Sequence, residues 1–331
     1  MPTVMITPES YVQVAGPWVR HLQDAGFDVA YPEDRTFTRG HTGEDDTVRV
    51  LSSASAVIAG GEYLTSSVLA RLPKLRVIAR SGVGYDRVDV AAATARGIAL
   101  TVTPTANHES VAEHAFALIF ALSKSVIEND AHARAGRWPK AVTEPIRGKT
   151  LGIMGLGRIG RSLAVRGRGM AMPVIATEKY PNQEFVRQHG IELVDFDTLL
   201  ARSDILSIHC PLNDETRGLF NRDVLGRMKR GSCLINTARG GVVVEADLLH
   251  VLKHGPLRGA GLDVFEQEPV SADNPLFQLP NIVVSPHIAS SDWLSQENMA
   301  IEAADSIIKL HRGEWPLGAV VNDQLKNGWK W

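Results

Sequence analysis

Three polar residues in the second half of the chain stand where acid–base chemistry can be done. They are Arg239 in Asn236-Thr237-Ala238-Arg239-Gly240-Gly241, Glu268 in Leu262-Asp263-Val264-Phe265-Glu266-Gln267-Glu268-Pro269, and His287 in Ser285-Pro286-His287-Ile288. Each follows a short apolar run that reads as a strand. Ligands of doubly wound sheets bind beyond the carboxyl ends of the strands, so the three loops can reach one cleft. Their chemistry is complementary. A guanidinium presents a planar fork of donors to a carboxylate and to a carbonyl oxygen. An imidazole titrates near working pH and can give or take a proton. A carboxylate bonded to that imidazole favours its protonated form. Reducing a 2-keto acid needs these three groups besides a hydride. Singly, each has an ordinary alternative: a surface charge, a loop acid before a proline, a turn residue after Pro286. The weight lies in their joint placement.

A source of hydride is written upstream. Gly155-Leu156-Gly157-Arg158-Ile159-Gly160 matches G-x-G-x-x-G, a weak signal alone in a chain with 29 glycines. Its setting adds weight, because strand-like Thr150–Met154 leads in and a helical stretch leads out. Gly155 then permits the tight turn, Gly157 lets backbone approach a pyrophosphate, and Gly160 lets the helix close on the strand. The helix N-terminus offers unpaired amides to phosphate, and Arg158 can add a charge. Glu178 lies 18 residues beyond Gly160, just past Val174–Thr177. An acid there can bond ribose hydroxyls and repel a 2′-phosphate, which favours NAD over NADP. The adjacent Lys179 works against that preference.

These loops need strands to hold them. Apolar runs alternate with helical stretches along the chain, the pattern of parallel sheets with crossover helices. In the first third the expected strands are Thr3–Thr7, Phe27–Tyr31, Ala56–Gly60, Arg76–Arg80 and Ala99–Thr103. In the second unit they are Thr150–Met154, Val174–Thr177, Ile205–His209, Ser232–Asn236, Gly259–Asp263 and Ile282–Ser285. Between the units a helix begins after Asn107, its expected N-cap. Val111, Ala115, Leu118, Ile119 and Leu122 fall on one face, and Phe116 and Phe120 widen the stripe, so it should be buried on most sides. The polar stretch around Trp138 reads as an excursion over the surface or onto a partner subunit. The tail from about Ser290 returns to helix.

The bulk numbers bound the rest. The 331 residues suit two domains, and 44% hydrophobic with 22% charged residues is the balance of a globular chain with a real core. A net charge of −2 supplies no basic excess for nucleic acid or an anionic membrane. Two cysteines, Cys210 and Cys233, are too few for a disulfide framework and wrongly spaced for a zinc knuckle, which fits a reducing cytoplasm. Met1–Thr7 does not read as a signal peptide, and no membrane-spanning run is expected. His108 and His114 invite a metal reading. They lie six residues apart, about 240° around a helix, so no metal site is expected.

Taken together, these segments resemble the D-isomer-specific 2-hydroxyacid dehydrogenase family, which includes phosphoglycerate, glyoxylate/hydroxypyruvate and formate dehydrogenases. Ser81 through Asp89, Asn107 through His114, and His209-Cys210-Pro211-Leu212 extend the resemblance over nearly the whole chain. It implies that Arg239, Glu268 and His287 form the catalytic set. It implies that amides near Val83 and Gly84 hold the substrate carboxylate, a task suited to a Gly-rich anion-binding turn, and that Asn107 lies near nicotinamide and substrate. Asp263 and the Thr237-Ala238 backbone would bind the carboxamide, and Pro211 and Thr216 would line the cofactor cleft. The fold implied is α/β, with two doubly wound, Rossmann-like parallel-sheet domains and a cleft between them. Residues 103–288 would be the NAD domain, inserted into a flavodoxin-like substrate domain of 1–102 and 289–331. A homodimer through the NAD domain is implied as well.

The expected activity is reversible hydride transfer between NAD(H) and carbon 2 of a small 2-hydroxy or 2-keto acid. Phosphoglycerate is the first candidate, but Ala59-Gly60-Gly61-Glu62 lacks the Arg that many such members carry there, and the added C-terminal regulatory domain of many of them is not seen. Glyoxylate, hydroxypyruvate or another 2-keto acid is an equal candidate. An NAD-sensing corepressor that binds partner proteins through the same fold is the alternative from another class. A methyltransferase built on the Gly-rich turn is disfavoured by the Arg239, Glu268 and His287 set.

Overall fold

The computed structural model describes residues 1–39 and 42–331. The chain divides into two compact units, Met1–Asn107 with Ser291–Trp331, and His108–Ser290. The division falls at 107/108 and 290/291, a few residues beyond the expected ends at 103 and 288.

The first unit holds a five-stranded parallel sheet of β1 (Thr3–Ile6), β2 (Asp28–Ala30), β3 (Ala56–Ala59), β4 (Val77–Arg80) and β5 (Ala99–Thr101), in the order β2-β1-β3-β4-β5. Apolar residues on both faces of a strand mark a sheet covered on both sides. Val4, Ile6, Ala56 and Ile58 pack into one layer, and Met5, Val57, Ala59 and Ile78 into the other. The first layer includes Ala300, Ala303, Ala304 and Ile307 from helix Trp293–His311. The tail therefore completes the core that the first hundred residues begin.

The second unit holds seven parallel strands: β6 (Leu151–Met154), β7 (Val174–Thr177), β8 (Glu192–Leu193), β9 (Ile205–Ile208), β10 (Cys233–Asn236), β11 (Gly259–Leu262) and β12 (Ile282–Val284). Their order is β12-β11-β10-β9-β6-β7-β8. The connection reverses direction at β6, which pairs with both β7 and β9. Such a reversal leaves a crevice at the carboxyl ends of the strands, where dinucleotides bind. The two doubly wound parallel sheets expected from the alternating pattern are present. The observed strands are mostly one or two residues shorter than expected, because their ends pass directly into loops. β8 is the strand missing from the sequence reading, since two residues carry no readable period. Helix His108–Ser123 buries Val111, Ala112, Ala115, Phe116, Leu118 and Ile119, as its wide apolar stripe requires.

The tail is also tied down by hydrogen bonds. Val102 N–H donates to Ala319 O and Val321 N–H to Leu100 O, an antiparallel pairing on the edge of β5. Asn322, wholly buried, accepts from Leu100 N–H at 2.9 Å and donates to Ile98 O at 2.9 Å and Thr94 Oγ1 at 3.1 Å. Asn322→Ala strands a backbone donor and acceptor out of reach of other partners, at about 1–3 kcal/mol each. We expect urea unfolding to show a loss of about 2–5 kcal/mol. A loss under about 1 kcal/mol would show that water replaces the amide.

Candidate active site

The three polar loops come from neighbouring parallel strands. Asn236 is level with Leu262, and Leu262 with Val284, so β10, β11 and β12 end in register. Strands lie roughly 4.8 Å apart, which sets the loops carrying Arg239, Glu268 and His287 side by side. The loop after β10 is folded by its own side chains. Asn236 Oδ1 accepts from Ala238 N–H at 3.0 Å, and its Nδ2 donates to Arg239 O at 2.9 Å. Gly240 follows because a Cβ there would lie 1.9 Å from the Phe265 carbonyl carbon. The Arg239 loop thus presses on the segment that leads to Glu268.

Glu268 and His287 meet directly. His287 Nδ1 is 2.7 Å from Glu268 Oε2, while Oε1 accepts from Phe265 N–H at 3.1 Å. The carboxylate is mostly buried and the imidazole is 44% exposed, so the ring offers its other face outward. An acidic partner at Nδ1 places a hydrogen there and leaves Nε2 to face a substrate oxygen. His287 adopts φ +54, a left-handed conformation that is strained for a residue with a Cβ. Two amides that follow it hold the turn. Ile288 N–H and Ala289 N–H each donate to the Asp263 carboxylate at 2.9 Å.

Asp263, expected at a carboxamide, also holds the loop after β12 through its carboxylate. It is fully buried, and both of its oxygens are engaged by the loop after β12. A buried carboxylate must collect donors, and it finds them in the Ser285 hydroxyl and the amides that shape the His287 turn.

At the reversal point the glycine turn has the form its spacing implies. Gly155 takes φ +95. A Cβ on Gly160 would sit 2.1 Å from the Gly155 carbonyl oxygen, so the helix Arg158–Gly169 could not close on β6 with any larger residue. A Cβ on Gly157, the helix N-cap, would meet nothing within 4 Å. That open space lies before the helix N-terminus, where a pyrophosphate needs room. Exposed Arg158 and half-buried Ile159 open the helix. Glu178 closes the turn from the next strand, accepting from Leu156 N–H at 2.7 Å and Tyr180 N–H at 3.0 Å. Across β9, Thr216 Oγ1 donates to Pro211 O at 2.6 Å and accepts from Asn213 N–H at 2.9 Å, which shapes the loop that follows Cys210. Thr237 Oγ1 is buried without a partner among the described residues. An orphaned hydroxyl just past β10, together with the open space at Gly157 before a helix N-terminus, fits a bound dinucleotide with its own polar groups.

The first unit holds a second Gly-rich turn. The loop after β4 runs through Gly82 at φ +126, with Gly82 N–H donating to Thr103 Oγ1 at 2.8 Å. The amides of Val83 and Gly84 donate to no group among the described residues. Asn107 lies beside Gly82, and its Oδ1 is buried without a partner among the described residues. Arg80 donates to Gly84 O at 3.2 Å and to Gly60 O, bracing this turn from behind.

Burial pushes the Cys210 thiol up to about 11 and raises Cys233, so both stay protonated at neutral pH. No group of three or more metal-ligating side chains occurs among the described residues. Ser285 and His114 adjoin the site without a signal in the sequence, because nothing in their spacing shows that a helix from one end of the unit reaches the last strand.

Two predictions test this geometry. Gly160→Ala should cost about 1–3 kcal/mol of stability through its clash with Gly155. Gly157→Ala should leave stability within about 0.5 kcal/mol yet weaken NADH binding. Equal effects of the two on unfolding would refute the separate roles. The second concerns His209, which burial drives down to about 3 while Ser207 Oγ holds its Nε2 at 2.8 Å. The unfolded chain takes up this proton below pH ~6.5 and the folded one does not. The group's contribution is full above pH ~6.5 and falls by about 1.4 kcal/mol per pH unit toward pH ~3. His209→Gln should therefore lose about 2 kcal/mol less than the parent between pH 7 and pH 5. Parallel pH curves would refute it.

Comparison with known proteins places the chain in a family. Residues 116–289 match the family model of the D-isomer specific 2-hydroxyacid dehydrogenase, NAD binding domain. The glyoxylate reductase of Korarchaeum cryptofilum is 41% identical over 270 residues, covering 80% of this chain and 81% of that protein. The D-3-phosphoglycerate dehydrogenase of Mycobacterium leprae is 41% identical over 309 residues, which are 90% of this chain but 58% of that protein. Among solved structures, a protein from Thermus thermophilus has a TM-score of 0.85 at 33% identity, covering 96% of this chain and 100% of that one. D-Lactate dehydrogenase of Aquifex aeolicus, solved with NAD and lactic acid, has a TM-score of 0.82 at 27% identity, covering 96% and 98%. The chain belongs to the D-isomer specific 2-hydroxyacid dehydrogenase family, as an NAD-dependent oxidoreductase of the CH–OH group.

Proposed function

We propose that the protein interconverts a small 2-keto acid and its D-2-hydroxy acid, with His287 as the proton carrier. The observation that carries this reading is the 2.7 Å bond between His287 Nδ1 and Glu268 Oε2. NAD, when bound, gives or takes the hydride at carbon 2. In reduction, protonated His287 delivers the Nε2 proton to the oxygen that becomes the hydroxyl. Glu268 keeps the ring aimed and compensates its charge while the proton is present. In oxidation the same nitrogen takes the proton back. Arg239 holds the substrate carboxylate and polarises the carbonyl, a bidentate task for its planar fork. The Val83 and Gly84 amides and Asn107 take further substrate oxygens. Gly155, Gly157, Arg158, Ile159, Gly160 and Glu178 hold the pyrophosphate and adenosine ribose. Pro211, Thr216, Thr237 and Ala238 line the way to the nicotinamide.

For the substrate, glyoxylate or hydroxypyruvate is favoured. The loop after β3 presents Glu62, a buried acid bonded to Thr7 Oγ1 at 2.6 Å, where a phosphate would want a cation. Phosphoglycerate remains the second reading, supported by Arg80 and Arg87, which donate to the carbonyls of Gly60 and Gly61. The partner is inferred to be a second copy of the chain, meeting exposed Val126, Ile127, Trp138 and Val142. The unpaired, protonated thiols suit a reducing compartment such as the cytoplasm.

A panel of 2-keto acids with NADH and NADPH, followed by loss of reduced-nicotinamide absorbance, tests the assignment. Glyoxylate or hydroxypyruvate should exceed 3-phosphohydroxypyruvate in kcat/KM by at least about tenfold with NADH, a gap of about 1.4 kcal/mol. His287→Ala should remove about 10²–10⁴ of the turnover while NADH affinity holds. Tight NADH binding with no turnover on any acid would favour the sensor reading.

A further inference from the structure

Behind His287 runs a partly buried chain of hydrogen bonds that neither hydride nor proton transfer uses. Ser285 Oγ donates to Asp263 Oδ1 at 2.6 Å. The same oxygen is 2.8 Å from His114 Nε2, which in turn lies 3.6 Å from Asp263 Oδ1. The single Ser285 proton is committed to the carboxylate, so toward His114 the hydroxyl must accept. Nε2 of His114 then carries a hydrogen and donates. The chain runs one way, from His114 to Ser285 to Asp263. This order also excludes a nucleophilic serine, whose hydroxyl would donate to the imidazole rather than to the acid.

The sequence explains how the helix reaches so far. His114 stands one turn before Leu118 on helix His108–Ser123. A Cβ on Gly261 of β11 would lie 2.9 Å from Leu118 Cβ, so the strand needs glycine there for the helix to close on it. That close approach carries His114 to Ser285, the first residue after β12. His114 is also the histidine that its spacing from His108 removed from any metal role.

We propose that His114 and Ser285 are positioning residues for hydride transfer, their hydrogen-bonded chain fixing Asp263 so that His287 stays in its left-handed turn on Glu268. The proposal rests on His287 being the proton carrier. Asp263 can pin the Ile288 and Ala289 amides only while its carboxylate keeps one orientation, which Ser285 secures by donating to Oδ1 and His114 by donating to Ser285. Without the Ser285 hydroxyl, Oδ1 loses its shortest bond and the carboxylate can turn. The amides then release the turn, and Nε2 drifts from the substrate oxygen. Misplacement of about 1 Å costs up to about 100-fold in rate, with binding at the distant cofactor end untouched.

The test compares Ser285→Ala, Ser285→Thr, His114→Ala and His114→Gln with His287→Ala, all in the full chain. The readouts are kcat, KM for the keto acid, and the NADH dissociation constant from nicotinamide fluorescence. Ser285→Ala and His114→Ala should lower kcat about 10- to 100-fold, with NADH affinity within about twofold of the parent. Ser285→Thr keeps the hydroxyl and His114→Gln keeps a donor, and both should recover most of the loss. Parental kcat in Ser285→Ala and His114→Ala would overturn the proposal, and so would equal damage from Ser285→Ala and Ser285→Thr. If Ser285→Ala does not fold, the partly exposed His114 decides the matter by the same criterion. An active His287→Ala would sink the proton-carrier reading itself. An inactive His287→Ala beside parental Ser285→Ala and His114→Ala would sink the positioning role alone.

Discussion

A carboxylate sealed from water is costly unless donors surround it, and Asp263 turns that constraint into architecture. It sits at the end of β11 with no exposed surface. Three donors from the loop after β12 meet it: the Ser285 hydroxyl and the Ile288 and Ala289 amides. Its own carbonyl takes the His287 amide at 2.8 Å. Hydrogen bonds to a charged acceptor are worth about 1.5–3 kcal/mol each. A left-handed residue with a side chain costs about 1–3 kcal/mol. Three such bonds outweigh one strained residue, so His287 keeps a backbone conformation it would not take alone.

That conformation decides what the imidazole can do. It turns Nδ1 onto Glu268 and leaves Nε2 outward, and Glu268 is steadied by the Phe265 amide at its other oxygen. The proton-bearing nitrogen is thus set by backbone geometry as much as by the side chains. Arg239 reaches the same edge by a different route, through the close approach of Gly240 to Phe265. Parallel strands ending in register are what let three separate loops share one edge.

The cofactor end is built from contacts of equally short range. Gly155 and Gly160 bring a helix N-terminus against β6, and Glu178 seals the turn through Leu156 N–H. The Thr237 hydroxyl is buried without a partner among the described residues, and the space before Gly157 is open. Buried polar groups are rarely left so, which is why a ligand with matching polar groups fits there.

Much of this was legible in the amino-acid order. Strand-length apolar runs alternating with helical stripes dictate parallel sheets, and the glycine spacing with Glu178 eighteen residues on marks the nucleotide turn. Those signals are local, because period and turn chemistry act within a few residues. Arg239, Glu268 and His287 were also readable, each lying just past a recognisable strand. What only the tertiary structure decided is which groups face one another. Asp263 reads as a ligand residue, and folding brings the amides of the turn that holds His287 onto its carboxylate. His114 reads as a failed metal ligand, yet a glycine on β11 lets its helix approach until it meets Ser285, 171 residues away. No periodicity records such a meeting. It depends on strand order and on the closeness of two elements that the chain joins only at long range.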